Sequence, residues 1–199
     1  ATVDYSSVAE NAIATGADIF SISTVVPTTP SIIKELRARE VEPDRILSQN
    51  YGFSTLFFDS AGPEVLDGTW LADVTNGFYE GERWQHYLGK YRDEMGMEWP
   101  QINGWRWTLD FLPLAKACYE ELEITGNPDK LQEERAAIRD WFYSLDGYPG
   151  VQGDYTIFAY GTNQNTNNTL YKFDGNEPVL VETDIYADVP EWVLEAGGE

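Results

Sequence analysis

Two short groups of polar or aromatic side chains follow two segments of strand length in the first quarter of the chain. Ser23 and Thr24 come directly after the first segment, and Asn50 and Tyr51 follow the second. Hydroxyl and amide groups donate and accept hydrogen bonds, and a tyrosine ring adds a face on which a flat ligand can stack. Polar residues at strand ends also cap loops. The chemistry is therefore ligand binding, with loop capping as the alternative.

A strand, a helix and a second strand position these groups. Ile19, Phe20 and Ile22 form an apolar run of strand length, and residues 45–49 are predicted as the neighbouring parallel strand. Between them, Thr29 and Pro30 predict an N-cap and a first-turn proline for a helix. Such a crossover joins parallel strands, so both strand ends meet at the carboxyl edge of one sheet. Open α/β sheets bind their ligands at that edge.

Further elements follow along the chain. Ser7 and Glu10 have the spacing of a capping box, which predicts a first helix that ends near Gly16. Periodicity and turn residues then predict a strand at 68–74, helices at 82–95, 105–122 and 129–145, and strands at 154–160, 169–173 and 179–181.

Composition excludes several classes of protein. The 199 residues are 42% hydrophobic and 14% aromatic, which is enough to build packed cores. The formal net charge of −21 disfavours nucleic acid and anionic bilayers as partners. It favours solubility or adaptation to a salty medium, where salt screens the repulsion. No run approaches the roughly 20 apolar residues of a membrane span, and residues 1–11 lack the regions of a signal peptide. Any export signal is expected outside this chain.

Histidine and cysteine are scarce, while carboxylates are too abundant to single out a catalytic pair. His86 is the single histidine and Cys118 the single cysteine, so a His/Cys zinc site, a serine triad or a Cys-His pair is improbable. Cys118 lies in an apolar periodic run and is interpreted as a small core residue. Asp110 is interpreted as a helix-surface or capping acid, and Asp154 as a turn acid. We expect no catalytic residue, metal or cofactor.

Five segments carry a resemblance to a known family. In order along the chain they read TVDYSSVAENAIATGADIF, PTTPSIIKELRARE, AGPEVLDGTW, WRWTLDFLPLAKACYEELEITGNPDK, and GYPGVQGDYTIFAYG together with LYKFDGNEPVLV. This order resembles the C-terminal half of type I periplasmic solute-binding proteins, the branched-chain amino-acid-binding family of ABC importers. The resemblance covers nearly the whole chain.

The resemblance implies an α/β protein with Rossmann-like lobes, each a parallel sheet flanked by helices, and incomplete in this chain. Residues 1–75 would belong to lobe 2 and residues 76–165 to lobe 1, while 166–199 would form the hinge return, the closing strands and an acidic tail. Such a two-lobed clamp closes on a small solute and delivers it to a membrane permease. The location implied is periplasmic or extracellular.

Carried over to this chain, the resemblance implies a ligand site. Its residues are Ser23, Thr24, Val25, Asn50 and Tyr51 from lobe 2, with Asn103 and Trp105 from lobe 1. Asn50 stands where amino-acid-binding members carry a carboxylate for the ligand's ammonium, and Val25 or Val26 where they often carry a tyrosine. An uncompensated ammonium in a closed cleft costs several kcal/mol. A neutral, amide-like or aromatic carboxylic solute is therefore expected.

Two further questions stay open on the sequence. Most of lobe 1 is absent, so we expect a second polypeptide or a missing N-terminal half to complete it, with a swapped dimer as the alternative. A sensory module on the same clamp and an enzyme of flavodoxin-like architecture that uses Asp110 or Asp154 are the alternatives to transport. Binding without turnover would favour the clamp.

Overall fold

The computed structural model describes residues 4–49, 53–100, 105–157 and 168–183. Its strands are β1 (Phe20–Ile22), β2 (Ile46–Gln49), β3 (Trp70–Asp73), β4 (Thr169–Asp174) and β5 (Glu177–Glu182). Its α-helices are α1 (Ser6–Ala14), α2 (Thr28–Arg37), α3 (Thr55–Ala61), α4 (Pro63–Leu66), α5 (Glu82–Met95), α6 (Leu112–Glu121) and α7 (Leu131–Tyr143). A π-helical turn, Trp107–Phe111, leads into α6.

The five strands form one sheet in the order β1-β2-β3-β4-β5. β1, β2 and β3 are parallel, and each connection between them contains helix, as the predicted crossover requires. β4 returns antiparallel to β3, and the turn at Gly175 leads into β5. The mixed α/β architecture confirms the predicted crossover between 19 and 49. Of the predicted strand at 154–160, the described part holds a bridge between Tyr148 and Tyr155, and 158–160 lie outside the described residues.

The chain forms two compact units. The sheet unit spans residues 1–80, 85–103 and 167–185, and the helical unit spans 81–84, 104–166 and 186–199 and contains α6 and α7. The core of the helical unit is Leu114 and Cys118 from α6 with Trp141 and Leu145 from α7 and the turn after it. The assignment of sequence ranges to two lobes stays a prediction, and the predicted acidic tail lies outside the described residues.

The capping box predicted from Ser7 and Glu10 at the start of α1 is wrong. α1 begins at Ser6, whose backbone N–H donates to the Asp4 carboxylate at 2.9 Å, and no side chain caps the helix at the preceding residue. Glu10 instead pairs with Arg39 at 3.0 Å, a residue 29 positions away. The Glu10 carboxylate therefore pairs with the Arg39 guanidinium and does not cap the start of α1.

An aromatic cluster fills the sheet unit behind the loop that follows β3. The Phe53 ring lies 5.6 Å from Phe58, 5.0 Å from Trp99 and 4.8 Å from Tyr171, measured between ring centroids. Gly77 from the loop approaches the same ring so closely that an added Cβ would lie 2.0 Å from a Phe53 carbon. The cluster therefore fixes the position of the loop backbone through packing.

The Tyr171 hydroxyl fixes the same loop through hydrogen bonds. It donates to the carbonyl oxygen of Thr75 at 2.7 Å and accepts the backbone N–H of Gly77 at 2.9 Å. The ring is fully buried on β4, and this burial raises the pKa of Tyr171. The loop after β3 is thus bound to a strand almost one hundred residues later in the chain.

We expect Tyr171→Phe to lower the free energy of unfolding by about 1–3 kcal/mol, because it leaves a buried carbonyl and a buried N–H without their partner. Urea unfolding followed by tryptophan fluorescence measures this. Tyr119→Phe is the control, since that side chain is 52% exposed. Equal unfolding midpoints for the two variants would contradict the assigned role of the hydroxyl.

Candidate functional site

The carboxyl end of β1 carries the first predicted group. Ser23 and Val25 are exposed there and Thr24 is half-buried. Thr29, which sequence reasoning took as the N-cap, is buried inside the first turn of α2, and its hydroxyl donates to the Thr24 carbonyl oxygen at 2.9 Å. The N-cap prediction is wrong because the Thr29 hydroxyl closes the loop before the helix instead.

The hydroxyl oxygens of Thr24 and Thr29 lie 2.7 Å apart. A hydroxyl has one hydrogen, and that of Thr29 is directed at the Thr24 carbonyl, so Thr24 donates in this second contact. The Thr24 oxygen keeps lone pairs for an outside donor. Toward a ligand, Thr24 therefore offers a hydrogen-bond acceptor held in place by the α2 helix.

The carboxyl ends of β1 and β2 lie side by side. Ile22 is in register with Ser48, and β2 ends at Gln49. The predicted site residues Asn50, Tyr51 and Asn103 fall outside the described residues and stay predictions. The structure brings Ser23, Thr24 and Val25 to the predicted edge, and the chain of β2 reaches the same edge.

Asp73 at the end of β3 extends this edge and was missed in the sequence. Its buried carboxylate accepts the Thr75 N–H at 2.8 Å and the Phe53 N–H at 3.3 Å. The Asp73 carboxylate therefore connects the loop after β3 to Phe53. The signal was available, because Asp73 ends an apolar run in the same way that polar groups follow β1 and β2.

Trp105 lies in the helical unit and is 4% exposed. Its ring centroid is 4.7 Å from that of Trp84, and the guanidinium carbon of Arg106 lies 5.1 Å from its centroid. The indole Nε1–H is buried and has no acceptor among the described residues. Such an unsatisfied donor is rare in folded proteins. Its contact with a ligand stays a prediction.

Asp110 is neither the helix-surface acid nor the helix-capping acid that the sequence indicated. It is 5% exposed in the π-helical turn, where one oxygen accepts the Val151 N–H at 2.8 Å and the other accepts the Tyr155 hydroxyl at 2.9 Å. Burial, followed by the charge of Asp110, raises the pKa of Tyr155. Both carboxylate oxygens therefore hold the 148–155 loop onto the helix. Asp154 itself is exposed.

The single histidine and the single cysteine lie on a helix surface and in a core, respectively. His86 is exposed on α5, and Cys118 is buried in the core of the helical unit, as the sequence predicted, where burial raises the pKa of its thiol. Within the described ranges, no group of three His, Cys, Asp or Glu side chains could hold a metal ion. In the same ranges, no helix has the length and apolar character needed to cross a membrane.

Comparison with known proteins gives a result at the level of structure. No family model and no curated protein matches the sequence. Among solved structures, an extracellular ligand-binding receptor from Rhodopseudomonas palustris HaA2 is similar over 91% of this chain and 52% of its own, with a TM-score of 0.68 and 18% identity. The type I periplasmic-binding-protein fold is thereby confirmed.

Two further neighbours with this fold were solved with a ligand. A branched-chain amino-acid transporter substrate-binding protein from Streptococcus pneumoniae, in complex with isoleucine, has a TM-score of 0.64, 14% identity, and coverage of 89% of this chain and 48% of its own. An ABC transporter solute-binding protein from R. palustris, in complex with benzoate, has a TM-score of 0.64, 17% identity, and coverage of 92% and 47%. The chain spans about half the length of these type I binding proteins.

The raised pKa of Tyr155 predicts a loss of stability at alkaline pH. The unfolded phenol ionises near its ordinary pKa of 10.0 while the folded one keeps its proton, so the stabilisation is complete below pH 10 and falls as the pH rises above it. Urea unfolding between pH 8 and pH 12 measures this slope. Tyr155→Phe should make the slope shallower and Tyr119→Phe should leave it as in the parent chain. The same slope in all three proteins would contradict the assignment.

Proposed function

We propose that this chain is part of an extracytoplasmic solute-binding protein that serves an ABC importer. The observation that carries the proposal is the carboxyl edge of the parallel strands, where Ser23, Thr24 and Val25 emerge in a fold whose solved neighbours bind isoleucine or benzoate. Open α/β sheets bind small ligands at this edge. The permease and the location outside the cytoplasm belong to the proposal.

The proposed solute is a small amide or an aromatic carboxylate. Residues 23–25 carry no charge, and Thr24 presents an acceptor suited to an amide N–H. For a carboxylate, the donor in the proposed site is the side-chain amide of Asn50. Asp73 is the carboxylate at the end of β3, and it already accepts two backbone N–H groups inside the sheet unit. An ammonium group would find no free carboxylate in this described part of the edge, which argues against an α-amino acid.

The proposal also requires the remainder of the clamp. The matched solved structures are about twice as long as this chain. We assign the other half to a second polypeptide or to an N-terminal part of the same protein. Solute binding is therefore to be measured on the complete protein.

We expect Thr24→Val to weaken the binding of benzamide about 5- to 150-fold in isothermal titration calorimetry, through loss of one hydrogen bond worth about 1–3 kcal/mol. Thr24→Ser keeps the hydroxyl and should restore most of the affinity. Thr108→Val, at an exposed position of the helical unit, is the matched control. Binding by Thr24→Val as tight as that by the control would remove Thr24 from the site.

Asn50 provides the test of solute class. Asn50→Ala should lower the affinity for benzamide or benzoate by about 1–3 kcal/mol, because one hydrogen bond to the solute is lost. Asn50→Asp supplies the carboxylate that an ammonium needs, so the affinity for isoleucine should rise relative to benzoate. Competition calorimetry with the two ligands measures the ratio. An unchanged ratio would show that residue 50 does not select the solute.

A further inference from the structure

The helical unit contains a cavity of about 200 Å³ beside the π-helical turn that leads into α6. A cavity of about 150 Å³ accommodates benzene, so a molecule of that size or slightly larger fits here. Its apolar and aromatic lining comes from Leu109, Pro113, Leu114, Tyr148 and Tyr155. π-helical turns are rare and frequently occur at functional sites. All the lining residues belong to the helical unit, whereas the carboxyl edge of the strands belongs to the sheet unit.

Asp110 supplies a negative charge to the lining. It is 5% exposed, and its partners are the Val151 N–H and the Tyr155 hydroxyl, neither of which carries a charge. Within the described ranges, no ion pair joins Asp110 to a lysine or an arginine. Buried carboxylates are usually paired, and a carboxylate has about four acceptor positions, of which two are used here. Asp110 can therefore bind a cationic group of a ligand.

Arg83 supplies a positive charge to the same lining. One guanidinium nitrogen donates to the Pro149 carbonyl oxygen at 2.8 Å, and in the described part of the chain the group forms no ion pair. Arg39, Arg92 and Arg139, in contrast, each pair with a carboxylate. A guanidinium has five N–H donors, so the bond to Pro149 leaves donors for a carboxylate of a ligand.

We propose that this cavity binds a small zwitterion, a molecule that carries one ammonium and one carboxylate group. The ammonium binds to the buried Asp110 and the carboxylate binds to the exposed Arg83. Both charges of the ligand are then paired, whereas a simple amine would meet Arg83 and a simple acid would meet Asp110 in the same small cavity. The two tyrosine rings add a surface suited to a cation. The proposal does not depend on the solute-binding function assigned to the sheet unit.

Titration with zwitterions of different length tests the proposal. The probes are β-alanine, 4-aminobutyrate and 6-aminohexanoate, which differ in the separation of their charges. Each is compared with the alkylamine and the alkanoate of the same chain length, and binding to the complete protein is followed by proton NMR of the ligand. We expect the best zwitterion to bind at least about 10-fold more tightly than either analogue, because it makes one more charge-assisted hydrogen bond.

Arg83→Gln distinguishes the two charged groups of the ligand. It should lower the affinity for the best zwitterion about 10-fold without weakening the matching alkylamine, because only the carboxylate binds to Arg83. Arg135→Gln, exposed on α7, is the matched control and should bind the zwitterion as the parent protein does. Benzamide, the probe for the sheet unit, should bind equally to both variants, so the outcome is separate from that of the solute titrations.

Asp110→Asn removes the negative charge and can keep both hydrogen bonds, since the amide oxygen accepts the Val151 N–H and the amide N–H donates to the Tyr155 hydroxyl. It should weaken the zwitterion and the alkylamine alike, by about 10-fold. Should this variant fail to fold, the exposed Arg83→Gln position decides alone. The proposal is overturned when no zwitterion binds more tightly than its analogues, or when Arg83→Gln and Arg135→Gln bind the zwitterion equally.

Discussion

The loop that follows β3 is held by two buried side chains, and the carboxyl edge of the sheet depends on them. Tyr171 binds the loop from β4, and Asp73 binds it from the end of β3 itself. Asp73 also accepts the N–H of Phe53, so one carboxylate connects the end of β3 to Phe53. Because these bonds are buried, they are shielded from competition with water. Buried hydrogen bonds therefore fix this edge in the described part of the chain.

The sequence predicted the elements that short-range patterns determine. The runs at β1 and β2 and the periodic helices α5 and α7 were located to within a few residues, because their apolar spacing depends on neighbours in the chain. The predicted caps at the starts of α1 and α2 were wrong, because the capping side chains bind other partners. Glu10 pairs with Arg39, and Thr29 closes the loop at Thr24. Arg39 is 29 residues from Glu10, and the loop that brings Thr24 to Thr29 does not follow from apolar spacing.

The candidate site was predictable in its placement and less so in its chemistry. Parallel pairing brings Ser23 and Thr24 to the edge, and the pairing follows from the crossover alone. Whether the Thr24 hydroxyl offers a donor or an acceptor to a ligand depends on the position of Thr29, which could not be predicted from the sequence. Burial changes the role of a residue in the same way: Asp110 has the sequence surroundings of a surface acid, yet Val151 and Tyr155 donate to it.

The contact between Gly77 and the Phe53 ring has a consequence for sequence variation. A Cβ at position 77 would overlap the ring, so even alanine cannot enter without moving the aromatic cluster. A smaller side chain at position 53 would create the space that alanine needs. The two positions are thus expected to vary as a pair, and a homologue that lacks the glycine should also lack the phenylalanine.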